Sequence, residues 1–399
     1  MNILIVSSYL PYPLYSGGQV RLYNIIKELS QHHKITLVCE RRPSETDQDL
    51  LEVQKICEKV ITIPRKKQWS FSNIINAATS SKSFLSSGHA LSEMQSVISS
   101  LLGKNSFDLI HVETYYVMQN VPETKIPIVL VEHNIEYNVY DRFKERAPIF
   151  VKPLLALDIA KIKKEEESLW NKSTKVVAVS DDDAKIIHQT GIAAEVVSNG
   201  VNTDQFSFVP RNKRSLKEKK ILFIGDFKWI QNKDSATYII QEVWPAIKNK
   251  LSEDNITLWF VARNIPDTIR NLTDDPNILF DEKSSAKKTP EIFQEAAVLL
   301  APIRVGGGTS YKILESMSCG TPVITMPLSA KALNAKDGTE ILVGDNAENL
   351  AEKTVDILKK ESLYTHISEK GRSFIEKNYT WKEISEKLNA VYEQAVKLN

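Results

Sequence analysis

The sequence is poor in cysteine and carries no excess of charge of either sign. Its three cysteines, Cys39, Cys57 and Cys319, are odd in number and lack the paired spacing of metal ligands. Neither a disulfide framework nor a zinc cluster is therefore expected, which fits a reducing compartment. The formal net charge is +1, with acidic and basic residues interleaved. This balance argues against a nucleic-acid binder that neutralises phosphates, and favours a small-molecule site.

Long apolar runs are also missing. No run approaches the ~18 residues that a transmembrane helix needs. The first residues, "MNILIVSSYLPYP", have no basic lead, and Pro11 interrupts their short apolar run. This pattern predicts a first strand instead of a signal peptide. We expect a soluble cytoplasmic protein whose only membrane contact would be peripheral, at the inner face of the cell membrane.

The chain length and the order of its apolar runs predict two α/β domains. With 399 residues it exceeds the size at which one core usually keeps growing. Apolar runs typical of buried parallel strands alternate with helical patterns in both halves. In the first half these runs are "NILIVS", "KITLVCE", "KVITIP", "FDLIHVE", "IPIVLVEH" and "KVVAVS". In the second half they are "KKILFIGDF", "ITLWFVAR", "NILF", "AVLLAPI", "TPVITMP" and "EILVGD".

Three further segments complete the predicted organisation. The stretch from residue 196 to 220 opens with a turn signal and becomes polar and lysine-rich, as a linker does. Residues 66–103 exceed one crossover helix and predict helices that decorate the first domain. Residues 379–398 predict an amphipathic final helix. We place an N-terminal domain at 1–205, a C-terminal domain at 206–378 and the final helix at 379–399.

Two glycine-rich loops follow predicted strands and open predicted helices. Gly17 and Gly18 precede a helix in "SGGQVRLYNIIKELS", where absent Cβ atoms would let backbone N–H groups approach a phosphate or a sugar. A plain tight turn is the alternative. In "IRVGGGTSYKILESMSCGTPVI", residues 306–308 could cradle a diphosphate at the start of a helix.

Lys312 and Glu315 share one face of that second helix. Glu315 lies about 10 Å beyond Gly308 at ~1.5 Å per residue, which is roughly the reach from a diphosphate to the ribose. A carboxylate there can accept bonds from two ribose hydroxyls, and the lysine can neutralise phosphate. The alternative is a surface ion pair three residues apart, worth a few tenths of a kcal/mol.

Polar side chains also follow the predicted strands of the first half. His133 leaves the end of a strand, where it could bond a sugar hydroxyl or take a structural role. His111 and Glu113 end the preceding strand, with wall polarity as the alternative. Asp181, Asp182 and Asp183 look like an acidic metal site, but Ser180 before them predicts a helix cap. The segment "PRKKQW", residues 64 to 69, could touch anionic lipid or be a solvated basic loop.

These motifs together resemble the retaining glycosyltransferases of family 4, which have the two-Rossmann GT-B architecture. The likeness covers nearly the whole chain and rests on "SGGQVRLYNIIKEL", "VSNGVNTDQF", "LFIGDFKWIQNKDSATYIIQEVWP", "GGGTSYKILESMSCGTPVI" and "YTWKEISEKL". The resemblance implies two doubly wound parallel-sheet domains facing across a cleft, with the final helix crossing back to the first. It also implies a nucleotide-sugar donor, a UDP-sugar above all, and a glycan, lipid-linked or protein acceptor, without a metal or another cofactor.

The resemblance also assigns residues to roles. Glu315 would hold the donor ribose, Gly308 with Thr309 would approach the diphosphate, and His133 would bond the transferred sugar. Phosphate charge would be offset by Lys228 or Lys233 and by Arg304 or Lys312. The remaining implied donor-binding residues are Gly17, Gly18, Gly225, Arg263, Gly307 and Ser310. Of these residues, His133, Lys228, Lys312 and Glu315 form the implied catalytic set.

Two departures from the family pattern leave alternatives open. Many members carry two glutamates eight positions apart, and the first would fall at Gly307; a basic residue often follows the glycine that Gly225 matches, and here it is Asp226. A catalytically silent subunit that binds a glycan or a partner enzyme is therefore a second hypothesis. A sugar-nucleotide epimerase of the same architecture is a third. A nicotinamide oxidoreductase is remote, because no Gly-x-Gly-x-x-Gly follows the first strand.

Overall fold

The computed structural model describes residues 1–145, 147–210, 219–251, 255–283, 289–305 and 309–398. The chain divides into two compact units. Unit 1 comprises Met1–Ser198 and Ile384–Asn399, and unit 2 comprises Asn199–Glu383. The sequence places these divisions a few residues away, after residues 205 and 378.

Unit 1 contains a seven-stranded sheet with the order β3-β2-β1-β4-β5-β6-β7. All of its strand pairs are parallel. The strands are β1 (Asn2–Ser7), β2 (Lys34–Arg41), β3 (Lys59–Pro64), β4 (Leu109–Glu113), β5 (Ile128–Glu132), β6 (Lys175–Ala178) and β7 (Ala194–Val196). The order reverses between β1 and β4, the point at which doubly wound sheets bind their ligands.

Helices connect these strands. They are α1 (Gly17–Leu29), α2 (Asp47–Gln54), α3 (Phe71–Thr79), α4 (Phe84–Gly88), α5 (Ser92–Lys104), α6 (Tyr115–Met118), α7 (Glu136–Glu145), α8 (Lys152–Lys172) and α9 (Asp181–His188). The start of α1 shows how the sequence sets their bounds. Ser16 has an extended backbone and its side chain accepts a hydrogen bond from the Gln19 N–H, which caps the helix. Gly17 and Gly18 are therefore the first residues of a helix, not a tight turn.

Unit 2 contains a six-stranded parallel sheet with the order β10-β9-β8-β11-β12-β13. Its strands are β8 (Lys219–Asp226), β9 (Ile256–Arg263), β10 (Ile278–Asp281), β11 (Val298–Ala301), β12 (Val323–Thr325) and β13 (Leu342–Val343). Its helices are α10 (Ile230–Tyr238), α11 (Trp244–Lys250), α12 (Asp267–Arg270), α13 (Thr289–Glu295), α14 (Tyr311–Ser318), α15 (Pro327–Leu333), α16 (Ala347–Lys359) and α17 (Glu361–Asn378), with a π-helical turn at Ile239–Val243. The last helix, α18 (Trp381–Lys397), begins in unit 2 and continues into unit 1.

The prediction of two doubly wound parallel sheets is confirmed. Each predicted apolar run contains a strand, because runs buried on both faces must be apolar throughout. Ile3, Leu4, Ile5 and Val6 of β1, for example, are all fully buried. The predicted helices in residues 66–103 are also confirmed as α3, α4 and α5. β7 was missed because it has three half-buried residues at the sheet edge, too few to form a pattern.

Candidate functional site

Two groups of polar side chains lie at the carboxyl ends of strands, one in each unit. In unit 2 the group surrounds Asn232 of α10, which is buried. Its side-chain Nδ2 donates to the backbone oxygen of Asp226, the last residue of β8, at 2.8 Å. Its Oδ1 accepts a hydrogen bond from Lys312 Nζ of α14, also at 2.8 Å. Asn232 therefore fixes a lysine on one helix relative to the end of a strand.

Gly225 makes room for this arrangement. A Cβ atom at Gly225 would lie 2.7 Å from Asn232 Nδ2 and 2.8 Å from its Cγ, closer than real Cβ contacts. The absent side chain thus lets the Asn232 amide reach the strand end. The group that lies close to Gly225 is thus the Asn232 amide of the protein itself. The family resemblance instead implies that Gly225 contacts the donor.

Lys312 occupies a partly buried position with one polar partner. Besides its bond to Asn232, its ammonium lies 4.6 Å from the centroid of the Phe223 ring, within the range of a cation–π contact. Burial lowers the pKa of Lys312 to about 8, although the nearby Glu315 opposes that shift. The ammonium form of Lys312 is therefore less stable relative to the neutral amine than it is in water, and an anionic ligand would stabilise it.

Glu315 lies on the same helix, and its carboxylate has no hydrogen bond or ion pair with any described residue. Burial raises the pKa of Glu315 to about 8, and Lys312 only partly offsets this. The alternative of an ion pair between Lys312 and Glu315 is wrong, because the lysine donates to Asn232 instead. A partly buried carboxylate without a partner is costly unless a ligand supplies hydrogen bonds.

The other predicted cations of unit 2 differ in how they are engaged. Arg304 donates to both carboxylate oxygens of Asp234, at 3.0 and 2.9 Å, and its guanidinium lies 4.2 Å from the Tyr238 ring centroid. Arg263 Nε lies 4.0 Å from the Oδ2 atom of Asp226. Lys228 and Lys233 form no ion pair within the described ranges, and Lys228 is exposed. A ligand can therefore recruit Lys228 or Lys233 without breaking an ion pair, whereas Arg304 would have to give up its bidentate bonds to Asp234.

The remaining predicted residues of this loop lie at the start of α14. Ser310 occupies the N-cap position but makes no side-chain cap bond. Thr309 is buried and bonded to Asn199, whose N–H lies 3.3 Å from Thr309 Oγ1 and whose Nδ2 donates to its backbone oxygen. Gly307 and Gly308, with the cradle predicted at residues 306–308, lie outside the described residues.

In unit 1 the polar group is built around Glu113 at the end of β4. The parallel register sets Glu113 opposite Ser7 of β1 and Val131 of β5, so the ends of three strands adjoin. The buried Glu113 carboxylate accepts a hydrogen bond from His133 Nε2 at 2.6 Å and a second, shorter one from His111 Nε2. Although burial alone would raise the pKa of Glu113, His133 and His111 hold it well below its usual range. Glu113 is thus a fixed anion.

His133 is the half-buried end of this network, more accessible than Glu113 and His111. Because Nε2 faces the Glu113 carboxylate, that nitrogen donates, and Nδ1 has no partner among the described residues. Nε2 also lies 3.3 Å from the Tyr9 hydroxyl, and a Cβ at Gly18 would be 2.9 Å from that oxygen. Gly18 therefore leaves room for Tyr9 beside the imidazole. His111 and Glu113 therefore do more than make the end of β4 polar. Glu113 is bonded directly to His133, and His111 is bonded to Glu113.

Two further features surround the histidine network. His111 Nδ1 is hydrogen-bonded to the Tyr392 hydroxyl of α18, which ties the C-terminal helix to β4. Thr114, next to Glu113, has a φ of 77°. A positive φ is unfavourable for a β-branched residue, and strain of this kind concentrates at functional sites. Sequence reasoning missed Tyr9, Asn232 and Tyr392, since no local pattern shows which distant side chain each one contacts.

The interpretation of "SDDDAK" as a helix start is confirmed. Ser180 caps α9 by accepting a hydrogen bond from the Asp183 N–H, and Asp181, Asp182 and Asp183 form the first turn. Across the described ranges, no group of three His, Cys, Asp or Glu side chains is placed to hold a metal ion. The described cysteines Cys39, Cys57 and Cys319 are free thiols.

Comparison with known families gives two matches that together span most of the chain. Residues 15–205 match the family described as Glycosyltransferase Family 4, and residues 218–360 match the one described as Glycosyl transferases group 1. A protein of Methanocaldococcus jannaschii, named as an uncharacterized glycosyltransferase, is 21% identical over 244 residues. That match covers 57% of this chain and spans 60% of the relative's length.

Several solved structures share the fold over the whole chain. Sucrose-phosphate synthase from Thermosynechococcus elongatus superposes with a TM-score of 0.72 at 14% identity, covering 100% of both chains. TarM of S. aureus, solved with fondaparinux, α-GlcNAc-glycerol and UDP, gives 0.68 at 12% identity, covering 98% of this chain and 100% of that one. Anabaena HepE, solved with UDP and glucose, gives 0.65 at 13% identity, covering 98% and 99%. At these identities the likeness establishes the architecture.

Proposed function

Because the chain belongs to the group 1 glycosyltransferases of family 4, we propose that it transfers a sugar from a nucleoside-diphosphate sugar to an acceptor hydroxyl with retention of configuration. The observation that carries the proposal is the pair formed by Lys312 and Glu315. One turn of α14 presents an ammonium oriented by Asn232 and a carboxylate without a protein partner. A diphosphate needs the first group, and a ribose diol can use the second.

We assign the donor to unit 2. Glu315 would accept hydrogen bonds from two ribose hydroxyls, which would relieve the cost of its partly buried charge. Lys312 would contact the diphosphate, together with Lys228 or Lys233. Arg304 is a weaker candidate, because a phosphate contact would have to compete with its bidentate bond to Asp234. The sequence leaves Arg304 and Lys312 as alternatives for the phosphate contact, and of the two we propose Lys312.

UDP is the nucleotide that we propose. Support comes from HepE and TarM, both of which were solved with UDP. We propose no metal or other cofactor for the reaction. The cationic side chains of unit 2 would offset the phosphate charge directly.

Charge development in the reaction explains why these cations would matter. As the bond between the anomeric carbon and the diphosphate breaks, negative charge accumulates on the leaving group. Lys312 and an additional lysine would stabilise that charge more in the transition state than in the bound donor, and so lower the barrier. A phosphate oxygen would take the proton of the acceptor hydroxyl, which attacks from the same face that the diphosphate leaves.

The His133 network of unit 1 supplies an oriented sugar contact. The fixed negative charge of Glu113 orients the Nε2 proton of His133 and leaves Nδ1 for a hydroxyl of the transferred sugar. The acceptor would be a glycan, a glycolipid or a glycoprotein, as in the synthesis of surface polysaccharide. No partner nucleic acid is proposed, since the net charge is close to zero.

A donor screen tests this function. Purified protein is incubated with UDP-, GDP-, ADP- and dTDP-sugars, and binding and slow hydrolysis are recorded beside Glu315→Ala. Binding and hydrolysis of one donor, both lost in the variant, would support an active transferase. Absence of binding to every donor by a folded protein would contradict the proposal and favour a silent subunit that binds a glycan or a partner enzyme.

A further inference from the structure

Helix α3 of unit 1 is amphipathic, but its apolar face is turned outward. Phe71, Ile74 and Ile75 are 79%, 46% and 43% exposed. The residue that α3 buries is polar: Asn73 is 4% exposed, and its Nδ2 donates to the backbone oxygens of Lys67 and Gln68. A surface helix of a soluble protein normally buries its apolar face and exposes its polar one. This helix therefore needs a cover that the described part of unit 1 does not supply.

The exposed face of α3 continues onto neighbouring elements. Trp69, just before α3, is 81% exposed, and its ring centroid lies 4.8 Å from that of Phe84 in α4. Helix α8 lies beside the other end, where Lys161 Nζ donates to the backbone oxygens of Ala77 and Ser80.

The face of α8 that carries Lys161 is also apolar toward its N-terminus. Leu157 and Leu154 precede Lys161 by four and seven residues and so lie on the same side of the helix. They are 67% and 69% exposed. We call the surface formed by Trp69, Phe71, Ile74, Ile75, Leu154 and Leu157 the apolar face.

Scattered apolar residues on a surface are normal, but several large apolar side chains exposed on one helix face and on its neighbours mark an interaction site. Ile149 and Phe150, in the turn before α8, are also more than 80% exposed and lie next to it in sequence. The charges near the apolar face indicate which kind of partner covers it.

The segment that carries Trp69 and α3 has charges of one sign, while on α8 Asp158, next to Leu157, accepts a hydrogen bond from the Phe84 N–H. From residue 59 to residue 92 the chain has five basic residues and no acidic one. The basic residues are Lys59, Arg65, Lys66, Lys67 and Lys82. Lys66 and Lys67 are exposed and precede Trp69 with only Gln68 between them. Basic residues next to an exposed aromatic residue and an amphipathic helix are the pattern that an anionic bilayer attracts.

We propose that the apolar face binds the surface of an anionic lipid bilayer. Helix α3 would lie in the plane of the interface, with Phe71, Ile74 and Ile75 among the acyl chains and Trp69 at the headgroup level. Lys66 and Lys67 would contact the lipid phosphates. No helix among the described residues is long and apolar enough to cross a membrane, so the contact is peripheral. This inference holds whether or not the chain transfers a sugar.

Vesicle co-sedimentation tests the proposal. The full-length protein is mixed with vesicles of phosphatidylcholine alone and with vesicles of phosphatidylcholine and phosphatidylglycerol in equal parts. Sedimentation with the anionic vesicles, reduced by added salt, is expected, because screening weakens the attraction of the lysines. Absence of binding to the anionic vesicles would overturn the proposal.

Two variants locate the contact. Phe71→Ser with Ile75→Ser should weaken binding at least about tenfold, since each substitution removes an apolar side chain from the interface. Lys66→Ser with Lys67→Ser should weaken it about 25-fold, about fivefold for each lysine. Both pairs change exposed side chains, so the midpoint of thermal unfolding should stay near that of the wild type.

Matched controls lie elsewhere on unit 1. Leu51→Ser removes an exposed leucine of α2, 49% exposed. Lys104→Ser with Lys172→Ser removes two exposed lysines at the C-terminal ends of α5 and α8, which lead into β4 and β6. Control variants that lose as much vesicle binding as the test variants would refute the assignment. A wild-type dimer that Phe71→Ser with Ile75→Ser dissolves would also refute it, because the face would then contact a second copy.

Discussion

Lys312 Nζ donates a hydrogen bond to Asn232 Oδ1 at 2.8 Å, and the other side of the same amide is bonded to the end of β8. The amide thus positions the ammonium that we assign to the diphosphate. Since the pKa of Lys312 is lowered to about 8 by burial, the charge of Lys312 is sensitive to its surroundings near neutral pH.

Substitution of Asn232 should change the alkaline limb of donor binding. The ammonium form of Lys312 predominates below about pH 8. In a Glu315→Gln background, which removes the carboxyl group that ionises over the same range, donor affinity should therefore fall as the pH rises through that value. Asn232→Asp adds a negative charge beside the ammonium and should move the fall to higher pH, whereas Asn232→Ala should move it to lower pH. Titration calorimetry at several pH values measures this. Equal alkaline limbs in all three proteins would show that Asn232 has only a structural role.

Gly225→Ala should reproduce the effect of Asn232→Ala. The new Cβ would lie 2.7 Å from Asn232 Nδ2, so the amide must shift, which should disturb its bond to Lys312. We expect donor affinity to fall about tenfold, the loss of one hydrogen bond to a charged group. Gly103→Ala is the control, because nothing lies within 4 Å of a Cβ at that position in α5. Unchanged donor affinity in a folded Gly225→Ala protein would contradict the positioning role.

Glu315→Gln should stabilise the unliganded protein at alkaline pH. The folded-state pKa of Glu315 is raised from 4.5 to about 8, so the folded state binds this proton more tightly than the unfolded state. The free energy of unfolding of the wild type must therefore fall as the pH rises from about 4.5 to about 8, and the variant lacks that loss. Thermal unfolding at pH values on both sides of this window should show a Tm gain of a few degrees for the variant, confined to the alkaline side.

The matched control for that experiment is Glu369→Gln, which changes an exposed glutamate of α17 in the same unit. It should follow the wild type across the pH range. If Glu315→Gln is no more stable than the wild type at alkaline pH, burial of the Glu315 carboxylate does not destabilise the unliganded protein, which would contradict the prediction.

Glu113→Gln should destabilise unit 1 in the opposite pH range. His133 and His111 hold the pKa of Glu113 well below its usual value, so its contribution to stability is present above about pH 4.5 and disappears as the pH falls through the folded-state pKa. Breaking such a buried pair costs roughly 3 to 5 kcal/mol near neutral pH. Urea unfolding at neutral and acid pH measures the difference. Glu58→Gln, an exposed change in the same unit, is the control.

An equal loss of stability for Glu113→Gln at acid and neutral pH would contradict the prediction, since a lost packing contact has no such dependence on pH. Glu113→Gln should also lose sugar transfer even where it still binds the donor, because the His133 imidazole would no longer be oriented.

The sequence was sufficient for the architecture because that depends on local patterns. Apolar runs such as Asn2–Ser7 and Ile256–Arg263 are strands because both of their faces are buried, and the Ser180 cap could be read from neighbouring residues. The site was recovered only in part. The face shared by Lys312 and Glu315 follows from helix periodicity, but the partner of Lys312 is Asn232, 80 residues away.

The same limit applies to His133 and Arg304. His133 was recognised at a strand end, yet its tie to Glu113 depends on the register of two strands, and the tie of His111 to Tyr392 spans 281 residues. Arg304 was predicted to bind phosphate, but it is paired with Asp234, 70 residues earlier. Contacts between side chains distant in sequence depend on the packing of helices on the sheet, which single-residue patterns do not specify.

The measurement that tests the central claim most directly is donor affinity in the wild type, Glu315→Ala and Glu315→Gln. Calorimetry with the donor found in the screen should show a loss of at least about tenfold for Glu315→Ala, because each charge-assisted ribose bond contributes roughly 1.5 to 3 kcal/mol. Glu315→Gln should lie between the two, since an amide oxygen accepts hydrogen bonds without the charge. Donor affinity equal to the wild type in a folded Glu315→Ala protein would contradict the account.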